Sequence, residues 1–324
     1  MRTLSFILAF MGVSLAIALV GWYGFGNVAA AAGRVGWSRF GIILVWQVAL
    51  FVVCGLAWDV ILPARPQRRS WVPIWGRMVR DAAANCLLQV GGFVFGARAV
   101  TLHGLSWPLA TASTIVDVTA EFLAQLAFTG IGLAILLAHA PSSRLAVPLE
   151  VGLGLAVMGG LGFIWLQQGV GRLFARLGRR LAGQWFAGAN DRMQTLQTEL
   201  TLIYARAPRL VVCFAVHLLG WLGAGTAGWI AYRALGVPID FDDAVAIEAL
   251  VAAMAAVAFL VPVNAGVQEA GYAGLGAIFG VPPELSLGVS LVRRARDITI
   301  GIPILLVWQL LEVRRLRTHA APEG

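Results

Sequence analysis

Six stretches of this chain are each long and apolar enough to cross a lipid bilayer, and that feature fixes the solvent in which it folds. They cover residues 4–24, 40–62, 109–138, 145–167, 210–234 and 285–311. A spanning helix needs about 20 apolar residues, since each adds about 1.5 Å toward a hydrocarbon core about 30 Å thick. Backbone inside that core must satisfy its own hydrogen bonds, which a helix does locally. Composition agrees: 59% of residues are hydrophobic, 12% are charged, and the mean hydropathy of +0.82 lies outside the soluble range. The expected architecture is an all-α, polytopic membrane protein forming one integral-membrane domain over residues 1–324. The "VAAAAG" after the first segment offers small residues of the kind that follow a signal peptide. Its apolar core is nearer 20 residues than the roughly 7–15 of such signals, so it is read as a retained helix.

The net charge of +8 comes from arginine alone, since lysine is absent. Three arginine clusters follow even-numbered crossings: "PARPQRRSWVPIWGRMVR" (63–80), "GRLFARLGRR" (171–180) and "RRLR" (314–317). The positive-inside rule places these segments, and both termini, in the cytoplasm. The acidic "PIDFDD" (238–243) falls on the opposite side, with Asp240 suited to capping the helix that follows. Residues 170–207 alternate basic and apolar positions, which suits either a helix at the lipid headgroups or a solvated helix pair. Cys54, Cys86 and Cys213 are scattered through apolar runs, so neither a disulfide framework nor a metal site is expected. His217 reads as a hydrogen-bonded core residue, and "GWLGAGTAG" (220–228) as a surface for close helix packing.

Two apolar pieces fit no crossing. Residues 82–101, "AAANCLLQVGGFVFGARAVT", are short and carry a glycine pair. Residues 244–279 are interrupted by "PVNAG", where Pro262 removes a donor and Asn264 and Gly266 suit a turn, with a second short helix expected from about Val267. Keeping the arginines inside requires the first piece to dip into the membrane from the cytoplasm and the second from outside. Sliding the chain by 176 positions sets Gly104 on Gly280, Leu109 on Leu285, and Asp117 and Glu121 on Arg293 and Asp297. This fits an inverted repeat with halves near 82–138 and 244–312, whose broken helices meet at a substrate site.

The run "RDAAANCLLQVGGFVFGAR" with "VDVTAE", followed by "VPVNAGVQEAGY" and "FGVPPELSLGVSLVRRARD" to "GIPILLVWQ", resembles the hopanoid-biosynthesis-associated membrane protein family. That family is a branch of the lysylphosphatidylglycerol synthase transmembrane, flippase-like superfamily. The resemblance implies a bacterial inner-membrane protein that handles hopanoid-related or other lipids, with similar domains flipping modified phospholipids between leaflets. One departure is visible: where such proteins often carry a glutamate after the glycine pair, this chain has Phe93, which the offset sets against Glu269.

The charges inside the last span carry the chemistry. Arg293, Arg294, Arg296 and Asp297 lie about 12–18 Å into that helix at 1.5 Å per residue. They fall within an arc of roughly 160°, so one side of the helix can hold all four away from lipid. Asp117 and Glu121 form an i, i+4 pair on the equivalent span, turned toward the same interior. Two readings follow. In one, the carboxylates neutralise the arginines in a buried network that locks two spans together. In the other, the arginines hold an anionic headgroup, because the planar guanidinium matches phosphate or carboxylate oxygens two at a time. The candidate substrate-binding set is Arg293, Arg294, Arg296, Asp297, Glu269, Asn264, Arg98, Asp117 and Glu121.

The function expected is a lipid transporter moving an amphipathic, anionic-headed lipid, either hopanoid-related or a phospholipid. Alternatives are an integral-membrane lipid-modifying transferase and a scaffold for lipid-synthesis proteins. No catalytic constellation is legible, no nucleic-acid partner or cofactor is expected, and no P-loop is present to use ATP. Proton coupling through Glu269 and uncoupled exchange both fit.

Overall fold

A computed structural model of the chain describes residues 33–63, 69–86, 89–140, 187–257 and 266–318, with isolated helical positions between 147 and 162. These residues form helices and turns, with no strand among them. In chain order the helices are α1 (Trp37–Ile61), α2 (Trp71–Cys86), α3 (Gln89–Thr101), α4 (Trp107–His139), α5 (Ala187–Tyr204), α6 (Ala207–Ala234), α7 (Phe241–Val257), α8 (Val267–Ile278) and α9 (Pro283–Thr318).

Helices α1, α4 and α6 are long and apolar enough to cross a membrane, and they coincide with the expected spans at 40–62, 109–138 and 210–234. The expected span at 285–311 lies inside α9, a single helix of 36 residues. The span at 4–24 lies outside the described residues, and that at 145–167 almost entirely so, as does 170–186 of the amphipathic segment. The distribution of side chains is that of a membrane protein. On α1, Trp37, Ile42, Val45, Val48, Val52 and Leu56 are exposed, whereas Asp117, His217, Glu248, Arg77 and Arg80 are buried. An apolar exterior around a polar interior is stable where the surrounding solvent is hydrocarbon.

The first hairpin is larger than the sequence pattern predicts. Residues 71–80, expected in a cytoplasmic loop because they carry arginines, continue residues 81–86 as one helix, α2, with Arg77 and Arg80 buried. Arginine density reports a cytoplasmic loop only where the charges have no buried partner, and here they have several. Helix α3 returns antiparallel to α2, because its glycines let the backbones meet. A Cβ on Gly92 would stand 2.6 Å from the Arg80 carbonyl oxygen, and one on Gly96 would stand 2.8 Å from Arg80 Cβ. The second hairpin comprises α7 and α8. Helix α8 begins at Val267, as the turn residues predict; "PVNAG", including Asn264, lies outside the described residues.

One local backbone pattern occurs twice at an offset of 176. Helix α4 starts at Trp107 and α9 at Pro283. Gly104 and Gly280, which precede them, both adopt positive φ, 98° and 73°, a region open to glycine because it has no Cβ. Around the first turn Leu105 N–H donates to Val100 O at 3.4 Å, and around the second Val281 N–H donates to Gly276 O at 2.8 Å. Each pair maps onto the other at the same offset, so helix, glycine turn and long helix occur twice.

Helix α6 ties the two halves together through the glycines expected to pack. Added Cβ atoms on Gly220 and Gly223 would strike Cys54 Sγ and Leu50 Cδ2 of α1, and those on Gly225 and Gly228 would strike Val245 and Glu248 of α7. Such small-residue seams bring helix backbones together where apolar burial gives no drive against lipid.

Candidate functional site: a charged cavity between the hairpins

A cavity of about 390 Å³ opens where α1, α2, α4, α6, α7 and α9 converge, and both signs of charge line it. Arg77, Arg80, Arg293 and Arg296 supply the cations, Asp81, Glu121 and Asp297 the anions, and His217 a titratable ring. The amides of Gln47, Asn85, Gln125 and Gln268 complete the polar wall.

On one side of the cavity, α2 is bound to α4. Arg77 donates from Nε to Asp81 Oδ2 at 2.7 Å and from Nη2 to Glu121 Oε1 at 2.5 Å. Arg80 donates to Asp117 Oδ2 at 2.8 Å, and also to Glu121. Asp117 is closed from behind by α6, where His217 Nε2 lies 2.9 Å from its Oδ1. The guanidinium of Arg80 also stands 5.7 Å from the ring centroid of Phe93 on α3, so this aromatic faces a cation.

On the other side, Glu248 of α7 takes the role that Asp117 and Glu121 have in the first half. It accepts from Tyr272 of α8 and from Arg293 of α9. The Arg293 guanidinium stands 5.7 Å from the centroid of the Tyr272 ring. Arg296 donates to its neighbour Asp297 at 2.7 Å. Replacing a buried carboxylate in such a set would strand its guanidinium in a region of low dielectric.

The candidate residues therefore separate into groups. Arg293, Arg296, Asp297 and Glu121 line the cavity together. Asp117 stands directly behind it, wholly buried. Arg294 is bonded to Glu269 at 2.5 Å, and Glu269 also accepts from the Gly266 N–H at 2.8 Å, closing the start of α8. Arg98 turns to Glu312, with Nε at 3.2 Å. None of Arg294, Glu269 and Arg98 lines the cavity.

Asp117 and Glu121 were expected to face the arginines of the last span. Their ion-pair partners are instead Arg77 and Arg80 of the first hairpin, with His217 also bonded to Asp117. Sequence reasoning missed Arg77, Arg80, Asp81, Glu248 and Tyr272. Glu248 had a signal, being a lone acid in the apolar run "AVAIEALVAAMAAV". Asp117, Cys213 and His217 bring possible metal-ligand atoms within 4.8 Å of one another. Asp117 and His217 Nε2 are already joined, and Arg80 holds the other carboxylate oxygen, so both oxygens of Asp117 are engaged by protein partners.

Fold and site together define a multi-pass, all-α membrane protein with a charged cavity among its helices. The chain belongs to the family described as the lysylphosphatidylglycerol synthase TM region, whose model matches residues 6–304. Comparison with curated proteins and comparison with solved structures each return no match.

Proposed function

We propose that this protein moves an amphipathic lipid with an anionic head between the leaflets of the bacterial inner membrane. The head passes through the charged cavity while the tail stays in lipid. The supporting observation is a set of cationic donors that the protein leaves unused. Arg77 Nη1 and Arg293 Nε are buried without a hydrogen-bond partner, and both residues line the cavity. A buried donor without a partner costs about 1–3 kcal/mol, and a phosphate or carboxylate head would satisfy it with charge-assisted bonds.

In this reading Arg77, Arg80, Arg293 and Arg296 bind the head, while Glu121 and Asp297 orient the guanidiniums. Asp117, Arg294, Glu269 and Arg98 hold the surrounding helices in place. Six crossings with two hairpins dipping in from opposite sides, and both termini in the cytoplasm, give the cavity access to each leaflet in turn. The resemblance to the hopanoid-associated branch favours a hopanoid-related lipid or a phospholipid as cargo.

Reconstitution tests this. Proteoliposomes carrying fluorescent phosphatidylglycerol should show protein-dependent exposure of the probe to an impermeant quencher, and Arg293→Gln should slow it at least tenfold. Equal rates with wild type, Arg293→Gln and empty vesicles would refute transport and leave a scaffold role.

A further inference from the structure

Two of the three cysteines, far apart in the sequence, meet at one histidine. Cys213 and His217 stand at i and i+4 on α6, so they share a face one turn from each other. Together with Asp117 they bring possible metal-ligand atoms within 4.8 Å of one another. Gly220 continues the same face, and a Cβ there would stand 2.7 Å from Cys54 Sγ of α1. The bare glycine therefore admits the Cys54 thiol onto this face, beside the ring that Cys213 also touches. Both cysteines are free of disulfides.

The ring is oriented as that of a metal ligand is. Asp117 accepts from Arg80 at 2.8 Å, and its other oxygen lies 2.9 Å from His217 Nε2. A carboxylate paired with a guanidinium is ionised and can only accept, so Nε2 carries the hydrogen. The nitrogen left for a ligand is Nδ1, which is buried without a hydrogen-bond partner on a side chain that is 1% exposed. Ligating histidines commonly donate their second ring N–H to a carboxylate, which fixes the tautomer and makes the ligating nitrogen more basic. Cys213 is wholly buried, while Cys54 and His217 line the cavity and give an ion its way in.

We propose that His217 Nδ1, Cys54 Sγ and Cys213 Sγ form a zinc site that ties α1 to α6, with Asp117 of α4 positioning the imidazole. Imidazole nitrogen and thiolate sulfur are ligands zinc prefers, and a fourth position turned toward the cavity takes water. On binding, each thiol gives up its proton, as does Nδ1 where it carries one. Two Zn–S bonds and one Zn–N bond form, and nothing is oxidised or reduced. The two charges of the metal are matched by two thiolates, and a site without excess charge suits a membrane interior. The zinc site stands or falls separately from the headgroup reading.

Cobalt is the probe, because it accepts the same ligands and its thiolate complexes absorb in the near ultraviolet. The untagged full chain in detergent, stripped with a chelator and kept reduced by a phosphine, should bind about one Co²⁺ with a band worth about two thiolates, which Zn²⁺ should bleach. Cys54→Ser and Cys213→Ser should each halve the band and weaken zinc binding at least about tenfold. Cys86→Ser should leave both unchanged. A wild-type titration without a thiolate band, or a band that survives loss of both Cys54 and Cys213, would overturn the zinc site and leave the headgroup site standing. The wild-type titration needs no variant, so it decides the matter even where a substitution fails to fold.

Discussion

Arg293 occupies in α9 the position that Asp117 occupies in α4, 176 residues earlier, and each is bound to an opposite charge on the first arm of the hairpin before it. Asp117 holds Arg80 of α2, and Arg293 holds Glu248 of α7. The architecture repeats and the polarity reverses. The cavity between these two joints is walled by charges of both signs.

The ion pair between Glu248 and Arg293 is testable by its stability signature. Removing one partner leaves the other charged and buried, so Arg293→Gln or Glu248→Gln should each destabilise the protein by about 3–5 kcal/mol. The double variant should recover most of that loss. Asp117→Asn should not rescue Arg293→Gln, since Asp117 is bound to Arg80 and His217. Thermal melts in detergent of the single and double variants supply the comparison.

Gly228 should tolerate no side chain. A Cβ there would lie 2.5 Å from both Cγ and Oε1 of Glu248. Gly228→Ala is therefore expected to cost about 1–3 kcal/mol through overpacking. It should also weaken lipid binding by displacing Glu248 from Arg293. Full stability together with full binding in Gly228→Ala would contradict the close approach of α6 and α7.

The glycine turns should behave alike. Gly104→Ala and Gly280→Ala each place a Cβ at positive φ with nothing within 4 Å to strike. The cost is then conformational, about 1 kcal/mol at each site. Unequal losses on melting would argue that the two turns are not equivalent.

Glu269 stands apart from the cavity. Glu269 accepts from Gly266 N–H and pairs with Arg294, outside the cavity lining. Glu269→Gln should lower stability by about 0.5–2 kcal/mol through the weakened helix start. Lipid movement should persist. Its loss in Glu269→Gln at otherwise full stability would place Glu269 in the path of the head.

The arrangement across the membrane has its own measurement. A cysteine introduced at Asp242, in the first turn of α7, should react with an impermeant maleimide in intact cells, and one at Arg68 should not. The opposite pattern would reverse the orientation of both hairpins.

The amino-acid sequence by itself determined what depends on local composition and spacing. Apolar runs placed α1, α4 and α6, because a helix in hydrocarbon is specified by its own residues. Turn chemistry placed the start of α8 at Val267, and the offset of 176 found the paired glycines Gly104 and Gly280, because a turn at positive φ is a property of one residue. The charges inside α9 were legible for the same reason.

Which charge meets which was decided by the tertiary structure. Arg77 and Arg80 look like any loop arginines until α2 folds against α4, and the Arg80 partner Asp117 lies 37 residues away. Glu248 reaches Arg293 across 45 residues, and His217 reaches Asp117 across 100. A buried charge is stable through its neighbours in space, and local pattern carries no record of them. The same limit made His217 look like an ordinary core residue. Its unpartnered Nδ1 and its place on the cavity wall exist once α1, α2, α4 and α6 have packed around it.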